Sequence, residues 1–204
     1  MRLLRAEGYE AKPWKNGQGI TRDILLWPAT DEFDLRVSLA DIPPASTFSA
    51  FPGITRHITR ISGSATTLIF ADGRVERLGL MTPLTFDSGE APHCEASGDD
   101  VRVLNVMTRA TSWRSSVRPL AAGRHPVVLA EGHAVLLFAV AGEWRVEAGN
   151  TSVNCLPGET LLAARPAAIT LVGTAGCAAL LADLVPAAES RDALFAFFEA
   201  TGRN

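Results

Sequence analysis

Short runs of alternating or β-branched residues, each closed by glycine, proline or an Asx-Gly pair, recur along most of this chain and restrict it to an all-β fold. Residues 34–39 carry the period most clearly. Leu35, Val37 and Leu39 fall on one face, Arg36 and Ser38 on the other. Residues 56–61 alternate too, and residues 66–71 and 74–78 flank Asp72-Gly73, a hairpin signal. Further runs are expected at 20–27, 84–86, 93–96 and 101–107, then at 127–130, 134–141, 144–148, 152–154, 160–163, 168–172 and 178–184. The spacing predicts a β-sandwich or barrel. Only residues 187–201 read as helical, because Leu194, Phe197 and Phe198 make an apolar stripe between Pro186 and Gly202. That helix either caps the β-structure or meets a second copy of the chain, which leaves a homodimer open.

A faint repeat divides the chain. Ile61-Ser62-Gly63 leads through a turn to Arg74-Val75-Glu76 and Pro83-Leu84-Thr85. Val140-Ala141-Gly142 leads through Trp144-Arg145-Val146-Glu147 to Pro157-Gly158-Glu159. Repetition of this kind predicts two related β-barrels, residues 1–111 and 112–204, with a seam over residues 112–125 marked by Pro119 and Gly123. The charge balance excludes some functions. A net charge of −3 with no run of Lys or Arg argues against a nucleic-acid surface. No apolar run approaches the length that spans a bilayer, and the first 14 residues lack the pattern of a signal peptide, so a soluble cytoplasmic protein without a membrane partner is expected. Cys94, Cys155 and Cys177 are scattered, with no CxxC, and read as small buried side chains.

Residues 13–23 are the densest in functional groups. Trp14, Lys15 and Asn16 put a flat apolar wall, a cation and an amide beside Gly17 and Gly19. That set suits a small polar or anionic molecule. The same residues equally suit a plain hairpin entry with a core tryptophan.

Taken in order, Trp14-Lys15-Asn16-Gly17-Gln18-Gly19-Ile20-Thr21, Arg36-Val37-Ser38, Phe48-Ser49-Ala50-Phe51-Pro52-Gly53 with Arg56, and Asn105-Val106-Met107 resemble the pattern of the HutD/Ves family of cupin-like proteins. The likeness covers the N-terminal half. The C-terminal half matches only in general cupin style. Gln18 stands where the family pattern has a glycine, Thr55 where it often has Asp, and Leu104 where an acidic residue is expected. The resemblance implies an RmlC-like bicupin, two packed β-barrels or sandwiches with a short C-terminal helix. It also implies a link to histidine utilisation in one branch and a stress-related role in the other. Its candidate ligands are small acidic catabolites, and no established reaction carries over.

The residues themselves give little support to metal or covalent chemistry. His57, His93, His125 and His133 contain no His-x-His pair, and His93 with Glu95 makes only two donors on one strand face. No metal and no other cofactor is expected. Cys94 and His93 point to opposite faces, and no Gly-x-Ser-x-Gly occurs. What remains is an anion pocket. Arg36 can grip a carboxylate in a fork and Ser38 adds a hydroxyl. In an open sandwich this face meets solvent. In a small barrel it lines the lumen, and the resemblance favours the lumen. The expected ligand-binding set is Trp14, Lys15, Asn16, Thr21, Arg36, Ser38, Arg56, His93 and Asn105, with Phe48 and Phe51 as core or wall. Two other classes stay open: an enzyme, metal-dependent or with Lys15 or His93 as acid/base, and an oligomer with a vestigial pocket.

Overall fold

The computed structural model describes residues 1–14, 19–30, 32–98, 100–165 and 167–187. The expected helix over 187–201 lies, beyond Ala187, outside these residues. Seventeen strands follow in chain order: β1 (Arg2–Leu4), β2 (Glu10–Pro13), β3 (Ile20–Trp27), β4 (Leu35–Ile42), β5 (Ala45–Thr47), β6 (Ile54–Ser62), β7 (Thr66–Ile69), β8 (Val75–Leu78), β9 (Leu84–Asp87), β10 (His93–Ala96), β11 (Val101–Arg109), β12 (Trp113–Leu129), β13 (Ala134–Ala141), β14 (Trp144–Ala148), β15 (Thr151–Cys155), β16 (Thr160–Ala163) and β17 (Ala167–Pro186). The only helical turns among the described residues are two short 3-10 segments. No helix there is long and apolar enough to cross a membrane.

The chain forms two compact units. One unit, Tyr9–Thr111, contains a six-stranded sheet in the order β2-β3-β4-β11-β6-β9 and a four-stranded sheet in the order β5-β10-β7-β8. Its core takes Ile42, Ile58, Phe86 and Val103 from the first sheet and Leu68, Leu78 and Cys94 from the second. Both faces of β4 are buried: Leu35 and Val37 are fully covered, and so are Ser38 and Ala40 on the opposite face. The alternation in 34–39 therefore does not separate core from solvent.

The other unit holds residues from Ser112 onward together with Met1–Gly8. It is a seven-stranded sheet, β1-β16-β13-β17-β14-β15 with β12 added on β17. Its core is apolar, with Leu137, Trp144, Leu161, Leu171 and Leu181 among the buried residues. Here the structure corrects the sequence boundary at 1–111, because β1 pairs with β16 and Leu3 packs on this second core. Three residues carry too little pattern to reveal their partner.

Residues 112–125 are likewise strand rather than seam. β12 runs unbroken through Pro119 and Pro126 while pairing only with β17, so it is an edge strand, where a missing N–H is tolerated. The register slips between Ala121 and Gly123, which takes φ +146°. The same slip joins the expected strands 168–172 and 178–184 into β17. Gly63 and Gly142, the glycines of the repeat, both adopt positive φ, 89° and 67°. A Cβ on Gly142 would lie 2.5 Å from the Cys177 sulfur.

Candidate functional site

Strand register assembles the site. In an antiparallel pair, residues directly opposite share a face. Arg36 on β4 lies opposite Met107 on β11, which lies opposite Arg56 on β6. One row along, Asp23 on β3 lies opposite Ser38 on β4, and Ser38 opposite Asn105 on β11. A third row sets Lys12 on β2 beside Thr21 and Ala40. Polar and charged side chains from five strands thus converge on one face of the six-stranded sheet. Over this face lies a cavity of about 380 Å³, walled by Trp14, Phe33, Phe48 and Phe51.

Arg56 is the unusual member. It is 6% exposed, and its guanidinium sits 5.3 Å from the centre of the Phe48 ring and 5.8 Å from those of Phe51 and Phe86. One terminal nitrogen donates to the Ser49 carbonyl at 3.3 Å, while Nε has no partner. Among the described residues no carboxylate pairs with it. Burial, and after it the positive charge of Arg36, pushes its pKa down to about 9. At neutral pH it is still a cation.

Arg36 differs in having a counter-charge. Its Nε donates to Asp23 Oδ1 at 2.7 Å, and Lys12 Nζ stands 3.3 Å from Asp23 Oδ2, an ion contact without hydrogen-bond alignment. Asp23 is itself buried and serves both cations. Among the described lining residues, three cations (Lys12, Arg36, Arg56) therefore face one carboxylate (Asp23). Asn105, 7% exposed, leaves its Oδ1 without a partner. The Trp14 indole N–H donates to Thr21 Oγ1 at 2.9 Å, which fixes the ring as a wall. Gly19 makes that position available, since a Cβ there would meet the indole at 2.8 Å.

Six of the residues expected from sequence line this cavity: Trp14, Thr21, Arg36, Ser38, Arg56 and Asn105. Phe48 and Phe51 join them as walls. Lys15 and Asn16 lie outside the described residues. His93 does not line this cavity. Its neighbour Cys94 takes the core face of β10, so His93 points the other way, with Nδ1 3.3 Å from Thr47 Oγ1. Sequence reasoning missed Lys12 and Asp23. Period two from Thr21 reaches Asp23, but its pairing with Arg36 depends on register. A bulge after Asp23 then replaces Leu25 by Leu26 in the lining.

Cys94 and Cys155 are fully buried, and burial pushes both thiols up to about 12, so neither is a ready nucleophile. Among the described residues no three His, Cys, Asp or Glu side chains gather as metal ligands do.

Known proteins share both the sequence and the fold. An uncharacterised 21.2 kDa protein from the hutC 3′ region of Pseudomonas putida is 31% identical over 159 residues, 76% of this chain and 82% of that protein. Protein Ves of Citrobacter koseri is 32% identical over 135 residues, 65% of this chain and 69% of Ves. The structure of HutD from Pseudomonas fluorescens SBW25 superposes with a TM-score of 0.76 at 25% identity, covering 91% of this chain and 98% of that one. Oxalate decarboxylase, a cupin-type protein, shares the fold alone, with a TM-score of 0.60 at 10% identity over 90% of this chain and 76% of its own. The HutD family model matches residues 6–181, and the chain belongs to the HutD family.

Proposed function

We propose that this protein binds a small carboxylate metabolite in the cavity of its Tyr9–Thr111 unit, without a metal ion, in an accessory or regulatory role. Arg56 carries the reading. A buried guanidinium with no carboxylate partner among the described residues, beside a second arginine, is costly to fold around unless an anion completes it. A carboxylate in the cavity takes the free edge of Arg56 and the terminal nitrogens of Arg36, whose Nε is committed to Asp23. Trp14, Phe48 and Phe51 cover its carbon skeleton, and a volume of about 380 Å³ admits a molecule of several carbons. The names of the relatives, HutD and a protein of the hutC region, point to an acid of histidine catabolism as the first ligand to try. Three free, buried cysteines suit the reducing cytoplasm. We read the two β units as the halves of a bicupin, a reading supported by the matching glycine turns at Gly63 and Gly142.

The test is a thermal-shift and calorimetric screen of the metal-stripped full chain against histidine-pathway acids, other small carboxylates and divalent metals. A carboxylate that raises the melting point in the presence of chelator, and fails to do so with Arg56→Met, is the expected result. Stabilisation by a metal alone, with no carboxylate binding, would overturn the reading.

A further inference from the structure

The cavity contains a second polar feature that a simple carboxylate leaves unused. Asn105 lines the cavity, and its Oδ1 is buried and accepts no hydrogen bond. Asn105 sits two residues before Met107 on β11, and Met107 is the register partner of Arg56. Arg56 and Asn105 are therefore diagonal neighbours on one face, with backbones roughly 7–8 Å apart. A molecule of a few carbons that grips Arg56 can reach Asn105.

The donor that meets this oxygen is restricted by charge. Asp23 is the only carboxylate among the described lining residues, and it is already shared by Arg36 and Lys12. An ammonium group would enter a cavity with three cations and no free anion. A neutral N–H or O–H meets no such opposition, and it satisfies an acceptor whose burial is otherwise unfavourable.

Building on the carboxylate reading, we propose that the ligand carries, besides its carboxylate, an uncharged hydrogen-bond donor for Asn105, and that the site discriminates against amino acids. The shared chemistry is a hydroxy- or amido-carboxylate. A site that hydrogen-bonds a ligand group rejects analogues lacking that group, because its own buried polar atom is then left unpaired.

Four probes of similar length, titrated calorimetrically into the full chain, test this. They are butyrate (no second group), γ-hydroxybutyrate (hydroxyl), succinamate (neutral amide) and γ-aminobutyrate (ammonium). Either the hydroxyl or the amide probe, or both, is expected to bind about tenfold tighter than butyrate, and the ammonium probe more weakly than butyrate. Asn105→Leu, nearly isosteric, should bring the neutral-donor probes to within about twofold of butyrate while butyrate itself still binds. Asn105→Ala, which also lacks an acceptor, provides the same comparison should the leucine variant fail to fold. Equal affinity for butyrate and both neutral-donor probes, tightest binding of γ-aminobutyrate, or an unchanged preference in the Asn105 variants would each overturn the inference and leave the carboxylate site standing. If none of the four binds, the carboxylate reading falls, and this inference with it.

Discussion

Methionine at position 56 keeps much of the stem of arginine and removes its charge. The Arg56→Met protein, free of ligand, is expected to be more stable than its parent even though its site is destroyed. A depression of the Arg56 pKa from 12.5 to about 9 opposes the charged form by roughly 5 kcal/mol. Three aromatic rings at 5.3–5.8 Å return about 0.5–1 kcal/mol each. The charged hydrogen bond to the Ser49 carbonyl, long at 3.3 Å, returns about 1–1.5 kcal/mol. Roughly 0.5–2.5 kcal/mol of unrelieved burial remains, and relieving it should raise the melting temperature by about 1–10 °C in a chain of this length. Differential scanning calorimetry of both proteins, with and without a bound carboxylate, reads the effect. At a ligand concentration about a hundred times Kd, the parent should gain about 2.7 kcal/mol and the variant nothing, so the order of stabilities inverts. A variant less stable than the parent without ligand, and still able to bind carboxylates, would refute the argument that Arg56 awaits an anion.

Other outcomes follow from the same geometry. Carboxylate affinity should hold steady between about pH 6 and 8 and decline above about pH 9, because Arg56 is protonated below its depressed pKa and neutral above it. Isothermal titration at stepped pH checks this, and affinity that climbs above pH 9 contradicts it. His93→Ala should change carboxylate affinity by less than about twofold and stability by less than about 0.5 kcal/mol, since the imidazole does not line the cavity and makes a long contact to the Thr47 hydroxyl across the strand pair. Gly142→Ala should cost about 2–4 kcal/mol in urea unfolding, because φ is +67° and the new Cβ meets the Cys177 sulfur. A loss under about 1 kcal/mol would mean that the turn yields easily. Cys94 and Cys155, fully buried with thiols pushed up to about 12, should react with a thiol reagent only as fast as the chain opens. Rapid labelling of either in the native protein would contradict their burial.

Much of this protein is legible locally. The run 20–27 is bounded by its own residues, and β3 occupies those same positions. The Asp72-Gly73 turn is written in two residues, with Gly73 at φ +87° and Asp72 accepting from the Arg74 N–H at 2.9 Å. That Arg36 and Ser38 share one face follows from period two alone. Trp14 stood out by its own chemistry beside a cation, an amide and two glycines, and the motif resemblance added Thr21, Arg56 and Asn105; all four line one cavity.

What the sequence determined by itself was therefore the β character of the chain, most strand positions in the Tyr9–Thr111 unit, and which residues of a strand share a face. Turn chemistry and side-chain alternation depend on neighbours a few positions away, and they survive any change of partner. Tertiary structure decided the rest. Period two cannot say which face meets the cavity, so the polar face of β4 read equally as solvated, and His93 read as a ligand although Cys94 claims the core side of its strand. Prolines and glycine made 112–125 look like a seam until pairing along β17 made it an edge strand. Lys12 and Asp23 join Arg36 only through the register of three strands. The charge balance of the site is the sum of side chains brought together from distant positions, so it exists only once the sheet has formed.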